Sequence, residues 1–345
     1  MKDYYTVTIG IPVYKSVDYI QDTMNSALAQ TFPDIEYLIV DDCGNDGTMD
    51  VIKKFQMNHP RGKDIYIITN DTNLGVSYSR NRIIDEAKGQ YLYFMDSDDT
   101  IESNTIQLLY DAILKNQTQI AYGSYDIIDG INKSRKEVYR KDSLVLKGID
   151  KLALYAFKNN HKFHISVCNH LIDIVFLRKS GIRFLHILYW EDMVYTTELV
   201  TRVESAVLLP NITYHYLRRP GSLSNYQDRD VYDKGEIMKN ASVLKLLKDK
   251  CTEFIEKEYI PYYCYNLEMD SFYAVCQILK NSYRITPKIS LSDMRDILHH
   301  PLSIIYILKF RHKRFSNCMF WFISKTPIIL FLPIIWLLGK MKRAF

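Results

Sequence analysis

Asp96-Ser97-Asp98-Asp99 closes the apolar run Tyr91-Leu92-Tyr93-Phe94-Met95. Taken as a strand end, alternation points Asp96 and Asp98 to one side, where both reach a single hard cation that also holds the oxygens of a diphosphate. A D-x-D in a turn is also a common solvated cap, so its company matters. Asp41-Asp42 end a second apolar run, where a carboxylate accepts from the imide N–H of uracil or from ribose hydroxyls. The stretch Asn73-Leu74-Gly75-Val76-Ser77-Tyr78-Ser79-Arg80-Asn81 sets Arg80 on a helix near the phosphates, its fork suited to a carboxylate or a phosphate.

Such side chains need a scaffold that ends several strands in one place. Apolar runs alternating with helical periodicity over the first hundred residues predict βαβ units and a mainly parallel sheet. Strands are expected at Thr6–Pro12, Glu36–Val40, Ile65–Thr69 and Tyr91–Met95, with helices at Tyr19–Gln30, from Met49, and at Ser77–Ala87, the last stopped by Gly89. Ligands of open α/β sheets sit beyond the carboxyl ends of strands, which gathers Asp41, Asp42, Asp96, Asp98 and Asp99 around one crevice. Neighbouring carboxylates repel unless a cation or donor intervenes. Further on, the pattern predicts a helix to about Lys115, strands at Ile120–Asp126 and Glu137–Tyr139, and a helix at Ile149–Lys158. Alternating apolar residues follow from Ser166 to Phe184, then Glu191-Asp192 before an amphipathic helix to Val203, and short strands at Val207–Leu209 and Thr213–Leu217. After Asp233 the chain reads as helical to about Lys280.

A 345-residue chain with 47% hydrophobic and 24% charged residues folds, and is neither disordered nor polytopic. Its net charge of +4 is too small for the basic stripe that nucleic acid requires. The six cysteines form no Cys-x-x-Cys pair and no zinc-finger spacing, and no apolar signal region follows Met1, so a reducing, cytoplasmic setting is expected. Met319–Leu338 is apolar except for Ser324-Lys325-Thr326 and contains Pro327 and Pro333. A lysine at its centre disfavours spanning. Aromatic residues between Lys309, Arg311, Lys313, Arg314 and Lys340, Lys342, Arg343 predict a helical hairpin or kinked segment in a membrane interface.

Ile11-Pro12-Val13-Tyr14, Asp41-Asp42-x-x-x-Asp46-Gly47-Thr48, Asn73-x-Gly75 with Arg80-Asn81, and Asp96-Ser97-Asp98-Asp99 resemble the family 2 glycosyltransferases, densely over residues 6–105. A thinner resemblance continues through Asn169-His170-Leu171, Gly181-Ile182-Arg183-Phe184, Glu191-Asp192 and Tyr216–Ser222. It implies a GT-A type, Rossmann-like nucleotide-sugar-binding domain over 1–230, with a nucleotide half (1–105) and an acceptor half (106–230). A helical region (231–314) and a membrane-interface segment (315–345) would follow. The implied reaction is inverting transfer of a hexose from a nucleotide diphosphate sugar, with UDP favoured over GDP or dTDP. The implied acceptor is a hydroxyl of a glycan or lipid-linked oligosaccharide at the cytoplasmic face of the cell membrane. By the same resemblance Pro12, Tyr14, Asp41, Asp42, Arg80, Asp96, Arg218, Arg219 and Ser222 hold the donor, and Asp98 with Asp96 holds Mn²⁺ or Mg²⁺. Asp192 is the base, paired with Glu191. Asp192 also reads as an N-cap of a helix beginning at Met193. Lys15, Gly44 and His170 depart from the residues usual at their positions. Two other readings are a nucleotidyltransferase, which lacks its glycine-rich loop at Ile11–Ser16, and an inactive sugar-binding or assembly subunit, which has no need of Asp98 or Asp192.

Overall fold

The computed structural model describes residues 2, 4–160, 163, 166–187, 190–219 and 231–342. The chain divides into two compact units, residues 1–152, 161–187 and 191–225 in one and 153–160, 188–190 and 226–345 in the other. The expected boundary at 230 lies outside the described residues.

The first unit opens with β1 (Tyr5–Val13), α1 (Ile20–Leu28), β2 (Ile35–Asp41), α2 (Thr48–Asn58), β3 (Ile65–Thr69), α3 (Val76–Glu86), β4 (Gly89–Phe94), β5 (Thr100–Ile101) and α4 (Thr105–Asn116). It continues through β6 (Ile120–Asp129), β7 (Arg135–Tyr139), β8 (Leu144–Lys147), α5 (Lys151–Lys158, which runs on into the second unit), β9 (His170–Asp173), α6 (Ile174–Ser180), α7 (Glu191–Arg202) and β10 (Ser205–Arg218). Strands β1 and β2 are buried along nearly their whole length, which is why they read as continuous apolar runs. The sheet order is β3-β2-β1-β4-β9-β6-β10-β5, with β7 on β6 and β8 on β10. Pairing is parallel within β3-β2-β1-β4 and between β6 and β10, and β9 is antiparallel to both β4 and β6. This is the mixed, mainly parallel sheet expected. The order sets the carboxyl ends of β2 and β4 on either side of β1, so the two acidic clusters face the same crest.

Several expectations change. Gly89 does not stop α3, which ends at Glu86; it opens β4, where an added Cβ would fall 2.4 Å from the Thr8 backbone nitrogen. The alternating run from Ser166 divides into β9 and helix α6, whose first turn is capped by Asp173 accepting from Phe176 N at 2.9 Å. The two short strands near the end of the unit are one, β10, which carries Pro210 and Asn211 through register shifts around Ile212. β8 is additional.

The second unit contains β11 (Tyr232–Asp233), α8 (Lys234–Asp249), α9 (Ile260–Lys280), β12 (Ile285–Thr286), α10 (Leu291–Ile297), α11 (Ile304–Leu308), α12 (Arg314–Lys325) and α13 (Ile328–Met341). Lys248 is buried 2.9 Å from Glu268 Oε1 and donates to the carbonyls of Ile297 and His299. The apolar tail is two helices, separated where Thr326 turns extended ahead of Pro327. Among the described residues no helix is long and apolar enough to cross a membrane.

Candidate active site

Beyond Phe94 the chain leaves the sheet, so Asp96 and Asp98 lie in a turn, not on a strand. Strand alternation therefore does not bring them together; the turn does, held by Asp99. Fully buried, Asp99 accepts from Tyr214 Oη at 2.6 Å and from Leu217 N at 2.7 Å, and its carbonyl accepts from Thr23 Oγ1 at 2.9 Å. Tyr214 Oη also accepts from Asp96 N at 3.3 Å. Asp99 thus ties the turn to β10, the strand that ends in Arg218. Its signal in the sequence was the third acid of the motif, but its partners lie more than a hundred residues away.

Arg80 organises the other side. Buried on α3, it donates from Nη2 to Asp96 Oδ1 and from Nη1 to Glu191 Oε1, both at 2.9 Å, and its guanidinium sits 5.4 Å from the Phe184 ring centroid. Both arms of its fork are therefore held by carboxylates. Asp192 is not an N-cap, because α7 begins one residue before it; its Oδ1 accepts from Met193 N at 2.8 Å. Burial, then the neighbouring Glu191, push its carboxyl up to about 6. A carboxyl poised there takes a proton near neutrality more readily than an ordinary aspartate.

Asp98 accepts from Arg219 Nε at 2.7 Å, and the Arg219 guanidinium lies 4.6 Å from the Tyr19 ring centroid. Burial, then Asp96, raise the Asp98 carboxyl above the usual carboxylate range although Arg219 opposes them. Two arginines thus pair with three acids, Asp96, Glu191 and Asp98, and two more, Asp99 and Asp192, lie beside them. Asp42 is also buried, and its carboxylate is filled: it accepts from Asn70 Nδ2 (2.8 Å), Leu74 N (2.9 Å) and Gly75 N (2.8 Å). Gly75 turns there with φ +88°, which favours glycine, and opens α3. Asp42 thereby fixes the loop that aims Arg80. Asp41, half-buried, accepts from Cys43 N at 3.1 Å. Pro12 lies in β1, and Tyr14 is exposed just past its end with the Lys15 amine 5.2 Å from its ring centroid. Arg218 is 3.6 Å from Glu137. Ser222 lies outside the described residues. His215 stands between Asp126 Oδ1 (2.6 Å) and Glu102 Oε1 (3.2 Å), so its ring nitrogens are occupied away from the Asp96 turn.

Among the described residues no set of three or more acidic, histidine or cysteine side chains is placed to hold a metal ion. The oxygen-only character of Asp96 and Asp98 and the negative surplus around them suit a magnesium-like ion. Such an ion takes one or two carboxylates and completes its shell with phosphate oxygens and water.

The description "Glycosyl transferase family 2" matches residues 8–180. Among curated relatives, the chain is 24% identical to a cholesterol galactosyltransferase of Borreliella burgdorferi over 75% of this chain and 74% of that one. It is 27% identical to a poly(ribitol-phosphate) beta-glucosyltransferase of Bacillus spizizenii, over 61% of this chain but 32% of the relative's length. Among solved structures, residues 1–349 of S. aureus TarS align over 92% of this chain and 90% of that chain, with a TM-score of 0.66 at 15% identity. That likeness extends the GT-A expectation to the described fold. The match to the family covers half of the chain and includes both acidic strand ends, and the chain belongs to glycosyl transferase family 2.

Proposed function

We propose that the chain is an inverting transferase that moves a hexose from a nucleotide diphosphate sugar, UDP favoured, to a hydroxyl of a glycan or lipid-linked acceptor in surface polysaccharide synthesis. One observation carries this reading: Arg80 is forked between Asp96 and Glu191, so the acids beside the departing diphosphate and those beside the acceptor form one rigid frame. Support for UDP comes from the TarS relative, which has been crystallised with UDP and with UDP-GlcNAc.

In the reaction, the acceptor hydroxyl gives its proton to a carboxylate oxygen of Asp192 as its own oxygen bonds to the anomeric carbon. The bond from that carbon to the diphosphate oxygen breaks, and the electron pair leaves on the diphosphate. Attack opposite the leaving group inverts the centre. Asp96 and Asp98 would hold Mn²⁺ or Mg²⁺, which when bound offsets the charge gathering on the diphosphate. Arg218 and Arg219 close from the other side, and withdrawal of Arg219 from Asp98 would free that carboxylate. Asp41 takes the base or ribose.

The second unit would bring the enzyme to the cytoplasmic face of the cell membrane. Phe315, Phe322, Leu330, Trp336 and Leu337 are exposed on α12 and α13, among exposed Lys309, Arg311, Lys313, Arg314, Lys325 and Lys340. An inactive sugar-binding subunit is the competing reading.

Incubation with a panel of nucleotide sugars and Mn²⁺ or Mg²⁺, followed by assay of the nucleotide released, tests the proposal. Wild type should release one nucleoside diphosphate and Asp98→Ala should release roughly a hundredth of it or less. Equal release from both would remove Asp98 from the site. No release with any sugar and acceptor would favour the inactive subunit.

A further inference from the structure

One group of buried polar side chains in the first unit has no part in the transfer described above. Tyr122 on β6 and His170 on β9 face each other across an antiparallel pair, with ring centroids 5.3 Å apart. Lys141, buried between β7 and β8, holds its amine 4.7 Å from the Phe163 ring centroid and 5.7 Å from that of Tyr122. Tyr195, on α7, is close enough to Tyr122 to add to the upward push that burial gives that phenol. Among the described residues the polar atoms of these groups have no hydrogen-bond partner, and the Lys141 amine meets only the two rings. Tyr122 Oη, Tyr195 Oη and both ring nitrogens of His170 are buried without a hydrogen bond. Among the described residues no carboxylate or carbonyl accepts from the Lys141 amine, and burial alone brings it down to about 8.

Folded proteins seldom leave several such groups idle, because each gives up water and gains nothing in return. What these four have in common is that all can donate and none carries negative charge. Burial, with Lys141 adding to it, pulls the imidazole down to about 3, so His170 is neutral and brings no second cation. A neutral sugar hydroxyl could accept from any of them but would leave the ammonium's charge uncompensated. An oxyanion accepts from the ammonium, both phenols and the one N–H of the neutral imidazole, with a charge-assisted bond to Lys141.

The position says which molecule would carry it. Tyr195 follows Asp192 by three residues on α7, a rise of about 4.5 Å along the helix. A group bound against Tyr195 is therefore held by the same helix, about one turn along, as the carboxylate that receives the acceptor proton. We propose that Lys141, Tyr122, His170 and Tyr195 form an acceptor subsite for an oxyanion, a phosphate or carboxylate borne by the acceptor close to the hydroxyl that is glycosylated. The proposal rests on the transferase reading for its use of the word acceptor. The binding chemistry it names does not.

The test titrates the full chain with glucose, glucose 6-phosphate and glucuronate, which differ only at C6, and separately with UDP, by ligand-observed NMR. Wild type should bind at least one charged sugar about ten-fold more tightly than glucose, as expected for one charge-assisted contact. Which of the two wins separates phosphate from carboxylate. In Lys141→Met the preference should fall to about two-fold or less, with UDP affinity unchanged, since an apolar chain of similar length replaces an unpaired buried ammonium. Tyr122→Phe removes only a hydroxyl and should weaken the preference about three-fold, which keeps the test valid if Lys141→Met fails to fold. Charged sugars that bind no better than glucose, or a preference that survives in Lys141→Met, would overturn the subsite. Loss of UDP binding by the wild type would instead count against the transferase reading, and the sugar titrations would still judge the subsite.

Discussion

Both units bury charge, and they resolve it differently. In the second unit Lys248 meets Glu268 at 2.9 Å and gives its other protons to two backbone carbonyls, so the cation is held within helical packing. In the first unit Arg80 and Arg219 pair with three acids, Asp96, Glu191 and Asp98, while Asp99 and Asp192 take hydrogen bonds from Tyr214, Leu217 and Met193, and burial followed by the neighbouring acids raises Asp98 and Asp192. A buried pair that satisfies itself is part of a scaffold; a negative surplus at a strand crest is complete only with a cationic or proton-bearing ligand. The contrast lies in where the charge sits, within helical packing or at a strand crest, since burial raises Glu268 as it does Asp192.

Asp192→Asn should have the largest effect. Loss of a general base lowers transfer by about a hundred- to ten-thousand-fold, and UDP affinity, measured by calorimetry, should hold. The wild-type rate should fall as pH drops through about 6, because the active form of Asp192 is the deprotonated one. A variant that keeps its rate would return Asp192 to the scaffold. Next come Arg80→Met and Lys248→Met, each of which strands buried acid and should cost about 3–5 kcal/mol in denaturant unfolding. Arg80→Met should also abolish UDP binding, whereas folded Lys248→Met should bind UDP as wild type does. Equal effects on UDP would erase the distinction between the two units. A smaller effect is expected from pH. Burial, against Lys248, raises Glu268 from 4.5 to about 7, so the folded state holds this proton more tightly than the unfolded chain. Stability from this group is full below about pH 4.5 and is lost as pH rises through about 7, by at most about 3 kcal/mol. Asp270, raised by burial to about 6, adds in the same direction. Glu268→Gln should flatten the dependence of Tm on pH over this range, and an unchanged slope would place the titrating group elsewhere.

The nucleotide half was legible in the sequence because β1, β2 and β4 are buried on both faces and its turns are marked by Asp and Gly. Ile65–Thr69 falls where periodicity put it, and β1, β2 and β4 shift by one or two residues. Legibility fails where a segment is short or interrupted. Leu144-Val145-Leu146 is an apolar run of only three residues that stays exposed or half-buried, and Pro210 looks like a strand end although β10 absorbs it in a bulge. At the site the residue types were readable but their partners were not. Arg80 finds Glu191 across 111 residues, and Asp99 finds Tyr214 across 115. Asp42 was read as a ligand for the base, yet its oxygens face backbone amides, a use that nothing local announces. Lys141 and His170 were less legible still, since an idle buried cation is visible only after folding shows that no acid approaches it.

The outer faces extend the contrast. The second unit sets aromatic side chains next to lysines: the Lys340 amine lies 3.7 Å from the ring centroid of the exposed Trp336 and that of Lys313 lies 4.0 Å from that of the half-buried Tyr265. A ring at the headgroup level with an ammonium above it suits an anionic lipid surface. Replacing Phe315, Phe322 and Trp336 together by Ser should spare the buried Phe320, Ile323, Phe331 and Ile335, and with them the packing of α12 and α13. Co-sedimentation with phosphatidylglycerol-containing vesicles should then weaken about ten-fold, and wild-type binding should itself weaken with added salt. Binding that ignores both the substitution and the salt would show that these helices present their aromatic residues to something other than a membrane.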